Sequence, residues 1–490
     1  MTIKRQTWAT ALGAVSLGMV LSGCGSDAAR LPREARLDGA VVEWPSRVVA
    51  RGDDRWLHFR FSLGSDLRTI QANDETVALL VDADADAGTG WRRSGRAFDA
   101  LGADLEVQFS PLGSSGPRRG VAAFKLNASG ARAPIALQDI DLTFSPTYAS
   151  RWYEGRLSRD LAQGLVTRGM STEGAARGIF ALYDGSGRVV GYSEPFELEF
   201  PRRASGRALA DLPIPARPTE GVRIVTWNTW RKFTDTPEAF APILEALDPD
   251  VVLFQEYTGT QESLRVALDQ HVANRPSPAS WSVVMNERGD VAIASRLPLT
   301  PAGPSIIEIS LEGRRTPVRV VCASAQSVLG PIFLASMHLK CCGSVGSEED
   351  QRRMAEARAI NDALRQLSRA ELPEGGVRVL GGDINLVGGR PPIDLLRADL
   401  DADASDLETV EATVLGDPGI YTWRDWSSGF SPGRLDWLVY SDSNVSVARS
   451  FVLDTRRLTD GVLSRAGLAR DSSDVSDHLP VVVDLVPRVP

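Results

Sequence analysis

The chain has 490 residues, 43% of them apolar and 24% charged, with a formal net charge of −9. That length fits two domains better than one, and the composition excludes a mainly disordered chain, a collagen-like fibre and a coiled coil. From Arg217 onward 28 Lys and Arg face 38 Asp and Glu, a balance of −10 that disfavours a general polyanion binder, whose surface is usually basic.

Lys4 and Arg5 precede an apolar run over 8–21 that is too short to span a bilayer and reads as a secretory signal. The run ends in Leu21-Ser22-Gly23-Cys24, which resembles a bacterial lipobox. That resemblance implies a signal over 1–23, acylation of Cys24 and a lipid anchor that makes the membrane a partner; a plain signal peptide is the alternative. Gly25 rather than Asp after the cysteine points to the outer membrane or surface of a bacterial cell envelope. With Cys24 lipidated, Cys322, Cys341 and Cys342 remain, so no disulfide framework is expected. The adjacent Cys341 and Cys342 can form a vicinal disulfide, bind a soft metal or stay as thiols.

A tether over 24–40 leads into 41–200, where short strands alternate with Gly, Pro and Ser turns. Strands are expected over 56–61, 77–81, 105–109, 178–183 and 196–200, and an all-β sandwich follows from them. Val81-Asp82-Ala83-Asp84-Ala85-Asp86 can aim alternate carboxylates at one Ca²⁺, making Asp82, Asp84 and Asp86 candidate ligands against the plainer reading of a solvated acidic turn. It is no EF-hand, because Ala87 stands at the loop glycine and Arg93 at the closing Glu. Together with Gly102-Ala103-Asp104-Leu105-Glu106 the stretch resembles the sandwich of family-nine carbohydrate-binding modules. A surface glycan is then a candidate partner, with Trp91, Trp152 and Tyr153 as a stacking platform unless they belong to the core. The proline-rich stretch 201–220 reads as a linker.

In 221–490 strands alternate with helices. A strand over 222–227, a helix over 237–247 with Phe240, Leu244 and Leu247 inward, and a buried strand over 251–254 open the domain. Ser347 caps a helix with Asp350 three residues on, and Met354, Ala357, Ile360, Leu364 and Leu367 mark its buried stripe. Further strands are expected over 377–380, 435–440 and 479–483.

Polar residues stand at the ends of these strands: Asn228, Gln255-Glu256, His338, Gly382-Asp383-Ile384-Asn385, Asp436 and Ser476-Asp477-His478-Leu479-Pro480. Neighbouring strands would bring such residues into one crevice. With Gly289-Asp290-Val291-Ala292-Ile293-Ala294-Ser295-Arg296 they stand in the order of the endonuclease/exonuclease/phosphatase superfamily, which the chain resembles from about Gly221 to its end. The resemblance implies an α/β (α+β) four-layer sandwich of two β-sheets flanked by helices, here preceded by the all-β sandwich, and hydrolysis of phosphate esters with Mg²⁺ or Mn²⁺.

Hydrolysing an anionic ester calls for a hard cation, and Glu256 is the first candidate ligand, with Asn228 and Asp477 beside it. His478, oriented by Asp436, is the candidate general base, and Asp383 is its rival or the residue that positions water. Asn385 is expected to hydrogen-bond the scissile phosphate, and His338 to donate to a phosphate oxygen or protonate the leaving group. Trp230 stands where many relatives carry an acidic or amide residue, which leaves one metal or two open. His58 and His271 are read as structural or solvated, and Arg296 as scaffold. The substrate classes compatible with this chemistry are nucleic acid, a sphingomyelin-type phospholipid headgroup and a small phosphate ester. The contrasting reading is a non-catalytic binding lipoprotein.

Overall fold

The structure, a computed structural model, describes residues 36–488 except 41–43, 45–48, 54, 66, 94–97, 100, 160–173, 201–209, 273–279, 312 and 368–375. The expected signal and Cys24 lie outside the described residues, as do parts of the expected tether and linker. Two compact units result, Met1–Ala208 with Asp425–Pro432 and Leu209–Arg424 with Gly433–Pro490. Among the described residues no helix is long and apolar enough to cross a membrane.

The first unit is an all-β sandwich. One antiparallel sheet runs in the order Ala50–Gly52, Trp56–Ser62, Trp152–Ser158, Thr143–Ser145. The other runs Val189–Tyr192, Gly174–Tyr183, Thr76–Asp82, Leu105–Phe109, Val121–Leu126, Arg132–Ile135, with Phe196–Phe200 also paired to Gly174–Tyr183. Alternate residues of both sheets meet in a core that includes Phe59, Phe61, Phe109, Phe144, Tyr153 and Phe180. Each such ring withdrawn from water contributes about 1.5–3 kcal/mol. Tyr153 is fully buried there and stacks on Phe61 at 5.7 Å, while its hydroxyl donates to the Arg68 carbonyl at 2.8 Å. A platform of Trp91, Trp152 and Tyr153 is therefore absent, because neighbours on a strand face opposite ways and Trp152 alone of that pair points outward.

In the second unit the strands are β1 (Val222–Asn228), β2 (Val251–Gln255), β3 (Ser282–Met285), β4 (Val291–Ser295), β5 (Thr300–Pro301), β6 (Val320–Ser327), β7 (Gly330–His338), β8 (Val377–Asp383), β9 (Glu408–Thr409), β10 (Thr413–Val414), β11 (Asp436–Tyr440), β12 (Val445–Val452) and β13 (Val481–Pro487). One sheet has the order β3-β4-β2-β1-β13-β12-β10 and the other β5-β6-β7-β8-β11-β9. Their facing sides share Ile224, Leu253, Ile293, Leu334, Val379 and Val483. On the outer side of the first sheet, Val225, Trp227 and Phe254 pack against α1 (Pro237–Leu247) and α2 (Gln261–His271). Both faces of these strands are buried, so they read as near-continuous apolar runs rather than alternating ones. Helices α3 (Glu348–Arg365) and α4 (Pro391–Arg397) complete the helical part used below.

Helix α3 departs from the expected apolar stripe. Asp350, Arg353, Glu356, Ala357, Ile360, Asn361 and Leu364 are its buried residues, whereas Met354 is half-buried and Leu367 lies beyond the helix. The buried charges have partners: Arg353 donates to the carbonyls of Lys340 and Cys342 at 2.7 and 3.0 Å, and Asp350 accepts from the Gly389 amide at 3.0 Å. Leu479 and Pro480 precede β13 instead of starting it, because the Leu479 amide turns to the Thr422 carbonyl at 2.7 Å.

At the start of β1, Arg223 and Asp484 of β13 are 1% exposed and form a two-pronged pair at 2.7 and 2.8 Å. The remaining guanidinium arm donates to the Leu247 carbonyl at the end of α1. Asp484→Ala would leave this cation buried and unpaired, which costs about 3–5 kcal/mol. Calorimetry should show the transition of the second unit falling by roughly 10 °C, and replacement of both partners by Leu and Met should lose less.

Candidate active site

The strand pattern itself gathers the polar residues at one end of the two sheets. β1 and β2 run parallel with Asn228 opposite Gln255, so Asn228 and Glu256 leave the first sheet side by side. β7 and β8 run parallel with His338 opposite Asp383, and antiparallel β11 sets Asp436 opposite Asp383. β13 runs antiparallel to β1, which returns His478 to the same end just before its strand begins.

Hydrogen bonds hold these ends in register, one link between the sheets and two within the first sheet. Gln255 Nε2 donates to Ser336 Oγ in the other sheet at 3.0 Å, and Ser336 Oγ donates to the Phe254 carbonyl at 3.0 Å. Trp227 Nε1 donates to the His478 carbonyl at 3.0 Å. Ser476 Oγ donates to the Asn228 carbonyl at 2.8 Å. The close approach also explains one glycine: at Gly382, with φ +147°, a Cβ would lie 1.9 Å from the Met337 carbonyl oxygen, on the strand that carries His338. Glu256 and Asn385 take left-handed φ values of 56° and 53°, a backbone cost tolerated where side chains must be aimed.

Asp383 lies at the centre and is 2% exposed. Its Oδ2 accepts from Asn228 Nδ2 at 3.0 Å and stands 3.4 Å from His338 Nε2 and 3.8 Å from His478 Nε2. Asn228 Nδ2 is also 3.4 Å from Glu256 Oε1, which is 3.8 Å from His338 Nε2. Glu256 and His478 thus belong to one pocket. The Asn385 backbone N–H donates to Asp383 Oδ1 at 3.0 Å, while its side-chain Nδ2 donates to the Leu339 carbonyl at 3.3 Å.

The two histidines have opposite surroundings. His478 Nδ1 is 2.8 Å from Asp436 Oδ2, and Thr422 Oγ1 donates to the same oxygen at 2.7 Å. Burial opposes the imidazolium, but the Asp436 and Asp383 charges outweigh it and lift His478 to about 10. Asp383 in turn is raised to about 7, chiefly by burial and then by the Asp436 charge. His338 Nδ1 instead faces Arg319 Nη1 at 2.8 Å, and Arg319 Nη2 donates to the Leu339 carbonyl at 2.8 Å. Burial, followed by the Arg319 charge, holds His338 well below its ordinary value. Because a guanidinium has no acceptor, His338 Nδ1 must accept, and the ring proton sits on Nε2.

Asp477 is half-buried and its Oδ2 accepts from Trp423 Nε1 at 3.0 Å. Asp477 Oδ1 and Asp436 Oδ1 are buried with no hydrogen-bond partner among the described residues. Asp383, Asp436 and His478 can each turn a ligand atom to within 4.8 Å of the others. Carboxylate and amide oxygens dominate this donor set, and orphaned oxygens beside them suit a hard dication. Asp383, Asp436 and His478 are the residues here that meet the spacing for such an ion, whereas Asn228 turns its Nδ2 to Glu256 and accepts the Trp230 amide on its Oδ1 at 2.9 Å.

Sequence reasoning missed Arg319, Thr422, Trp423 and Arg353. Each is an ordinary residue type in a segment without a motif, and its role exists only through a partner distant in the chain. The loop after His338 carries Cys341 and Cys342, whose thiol sulfurs are 3.0 Å apart; Cys322 is a buried free thiol. Arg296 is scaffold in position, donating to the Val272 carbonyl at 2.9 Å. His58, buried, pairs with Asp53 at 2.8 Å.

The family model described as the Endonuclease/Exonuclease/phosphatase family matches residues 225–478. The chain belongs to this family. Its members are phosphoester hydrolases, and the crevice just described lies within the matched residues. No curated protein sequence matches the chain. Among solved structures, a β toxin variant of Staphylococcus aureus with bound magnesium ions is 14% identical, with 54% of this chain aligned to 99% of that one and a TM-score of 0.39. Sphingomyelinase C of Streptomyces griseocarneus is 15% identical over 54% of this chain and 99% of its own, with a TM-score of 0.36. The human Nocturnin catalytic domain is 16% identical over 57% and 97%, with a TM-score of 0.37.

In this endonuclease/exonuclease/phosphatase domain the tautomer of His338 depends on Arg319. Nitrogen-15 NMR of labelled imidazole should show a neutral ring with the proton on Nε2. Arg319→Met should release that preference, so that the Nδ1–H form becomes measurable; an unchanged tautomer would show that Arg319 does not set it.

Proposed function

We infer that the chain is a divalent-metal-dependent phosphodiesterase working at a bacterial cell envelope, held there through Cys24. The observation that carries this reading is the convergence of Asn228, Glu256, His338 and His478 from both sheets on the buried Asp383. Polar groups gathered so closely in a buried place cost stability, and such clusters are characteristic of sites that perform chemistry. Family membership supplies the reaction class, and the donor set supplies the case for Mg²⁺ or Mn²⁺.

Glu256, Asn228 and Asp477 would hold a dication, which would supply charge to offset the phosphate and the developing leaving oxygen. Asp436, fixed by Thr422, keeps the Nδ1 proton of His478 in place; the surrounding carboxylates favour the imidazolium, so Nε2 would take a proton from the attacking water only after losing its own, which a dication in the crevice would promote by offsetting those charges. Asp383 orients that water from the other side of the crevice. His338, neutral with its proton on Nε2, donates a hydrogen bond to a phosphate oxygen rather than surrendering a proton to the leaving group. Asn385 steadies Asp383 through its backbone N–H, and its side-chain amide, resting on the Leu339 carbonyl, would turn to the phosphate as a second neutral donor.

The −10 balance from Arg217 onward repels an extended duplex, and the lipobox-like Cys24 places the enzyme near lipid. The charge balance argues mildly against duplex DNA, while the anchor is compatible with nucleic acid, a phospholipid headgroup or a small phosphate ester alike. The lipid anchor and the substrate are read from the sequence, and a panel of sphingomyelin, RNA, plasmid DNA and phosphate monoesters decides between the substrate classes.

The purified protein should release nitrophenol from bis-p-nitrophenyl phosphate in the presence of Mg²⁺, lose that activity with a chelator and regain it with Mg²⁺ or Mn²⁺. His478→Ala should lower kcat at least about 100-fold, the scale of a lost general base. Glu256→Gln should raise the metal concentration for half-maximal rate by roughly tenfold or more. If nothing in the panel is cleaved in a metal-dependent way, the chain is a binding lipoprotein.

A further inference from the structure

Outside the phosphoesterase crevice, a second group of carboxylates meets in the first unit, and its membership differs from the sequence expectation. Asp86 is exposed and its Oδ1 accepts the Gly88 amide at 2.8 Å, which closes a local turn. Asp104 takes its place. Ligand atoms of Asp82, Asp84 and Asp104 can all lie within 4.8 Å of one another.

Strand pairing brings them together. Asp82 ends the strand Thr76–Asp82, Asp104 immediately precedes Leu105–Phe109, and these strands are antiparallel neighbours. The Asp104 amide extends the ladder by donating to the Val81 carbonyl at 2.9 Å. Asp82 is fully buried and Asp104 is 4% exposed. Each is aimed through one oxygen: Asp82 Oδ2 accepts from the Gly102 amide at 3.1 Å, and Asp104 Oδ2 from the Ala83 amide at 3.0 Å. Asp84 is oriented by the Asp86 amide at 3.0 Å and by Thr89 Oγ1 at 3.1 Å.

Asp82 Oδ1 is the decisive atom, because it is buried beside the other carboxylates with no hydrogen-bond partner among the described residues. A buried anionic oxygen without a donor costs several kcal/mol unless a cation sits against it. Burial lifts Asp82 and Asp104 to about 6, and the Asp84 charge adds to both. Arg177 on the adjoining strand is committed to Glu197 at 3.3 Å.

We propose that Asp82, Asp84 and Asp104 bind one calcium ion, independently of the phosphoesterase centre. Ca²⁺ takes oxygens at 2.3–2.6 Å, so oxygens across the ion stand up to about 5 Å apart, whereas Mg²⁺ at 2.0–2.1 Å draws them to about 4.2 Å. A turn and two strand ends offer carboxylates in irregular geometry, which Ca²⁺ tolerates and Mg²⁺, with its near-ideal octahedron, does not. Bound there, calcium ties the turn that follows Asp82 to the start of the next strand.

The test is calorimetric titration of CaCl₂ into the full chain carrying Glu256→Gln and Asp477→Asn, which removes the metal ligands of the other centre. One Ca²⁺ should bind with a dissociation constant on the order of 10⁻⁵–10⁻³ M. Asp82→Asn or Asp104→Asn should weaken it at least tenfold, and Asp86→Asn should leave it within twofold. A calcium-dependent rise in the melting temperature of the first unit should accompany binding and vanish in Asp104→Asn, which keeps the question decidable if Asp82→Asn fails to fold. Absence of binding, equal binding by the Asp104→Asn protein, or Mg²⁺ binding as tightly would each overturn the proposal. None of these outcomes bears on phosphodiester hydrolysis, which the intact crevice reports separately.

Discussion

The second unit depends on placing one carboxylate, Asp383, where the ends of two β-sheets meet, and on surrounding it with groups that tolerate its burial. The cost is visible in the rise of this group to about 7. Asn228 from the facing sheet donates to it directly, and two imidazoles stand within 3.8 Å. Neither sheet alone contains that environment. Any shift of one sheet against the other would strip Asp383 Oδ2 of its Asn228 donor while leaving it out of water, so the reactive geometry and the inter-sheet packing are coupled.

That coupling explains why polar cross-links sit in an otherwise apolar interface. Gln255 and Ser336 connect the sheets one residue away from Glu256 and two away from His338. Trp227 and Ser476 fasten the His478 turn to the end of β1 in the same way. Further out, Arg353 of α3 holds the carbonyls of Lys340 and Cys342, which fixes the chain just after His338. These contacts cost desolvation, and a purely apolar replacement could pack equally well; what it would lose is angular precision at the strand ends.

Much of this was legible in the sequence, and the limits have physical causes. Apolar runs such as Val251 to Phe254 announced strands because both faces are buried, and the residues of the crevice stood out because a strand end has no packing use for Asn, Glu or His. Arg319 and Thr422 were invisible because their type is common and their partners are fixed only by tertiary register. The charged face of α3 defeated hydropathy for the same reason, since its buried groups are satisfied by loop carbonyls rather than by apolar neighbours. In the acidic turn, alternation suggested Asp86, but alternation describes a strand; the chain has already left the strand at Asp82, and the third carboxylate comes from across the ladder.

The two crevice histidines show how one residue type is given two chemistries by a single neighbour. A carboxylate on Nδ1 favours the imidazolium of His478, so its Nε2 proton is held until the surrounding negative charge is offset. A guanidinium on Nδ1 keeps His338 from that charged form, because a second proton on its ring would have to displace the arginine. Donation without transfer is what a nonbridging phosphate oxygen requires, since protonating it would discard the attraction that holds the anion in place. In the proposed reaction this asymmetry puts proton removal on the His478 side and charge stabilisation on the His338 side, with Asp383 between them.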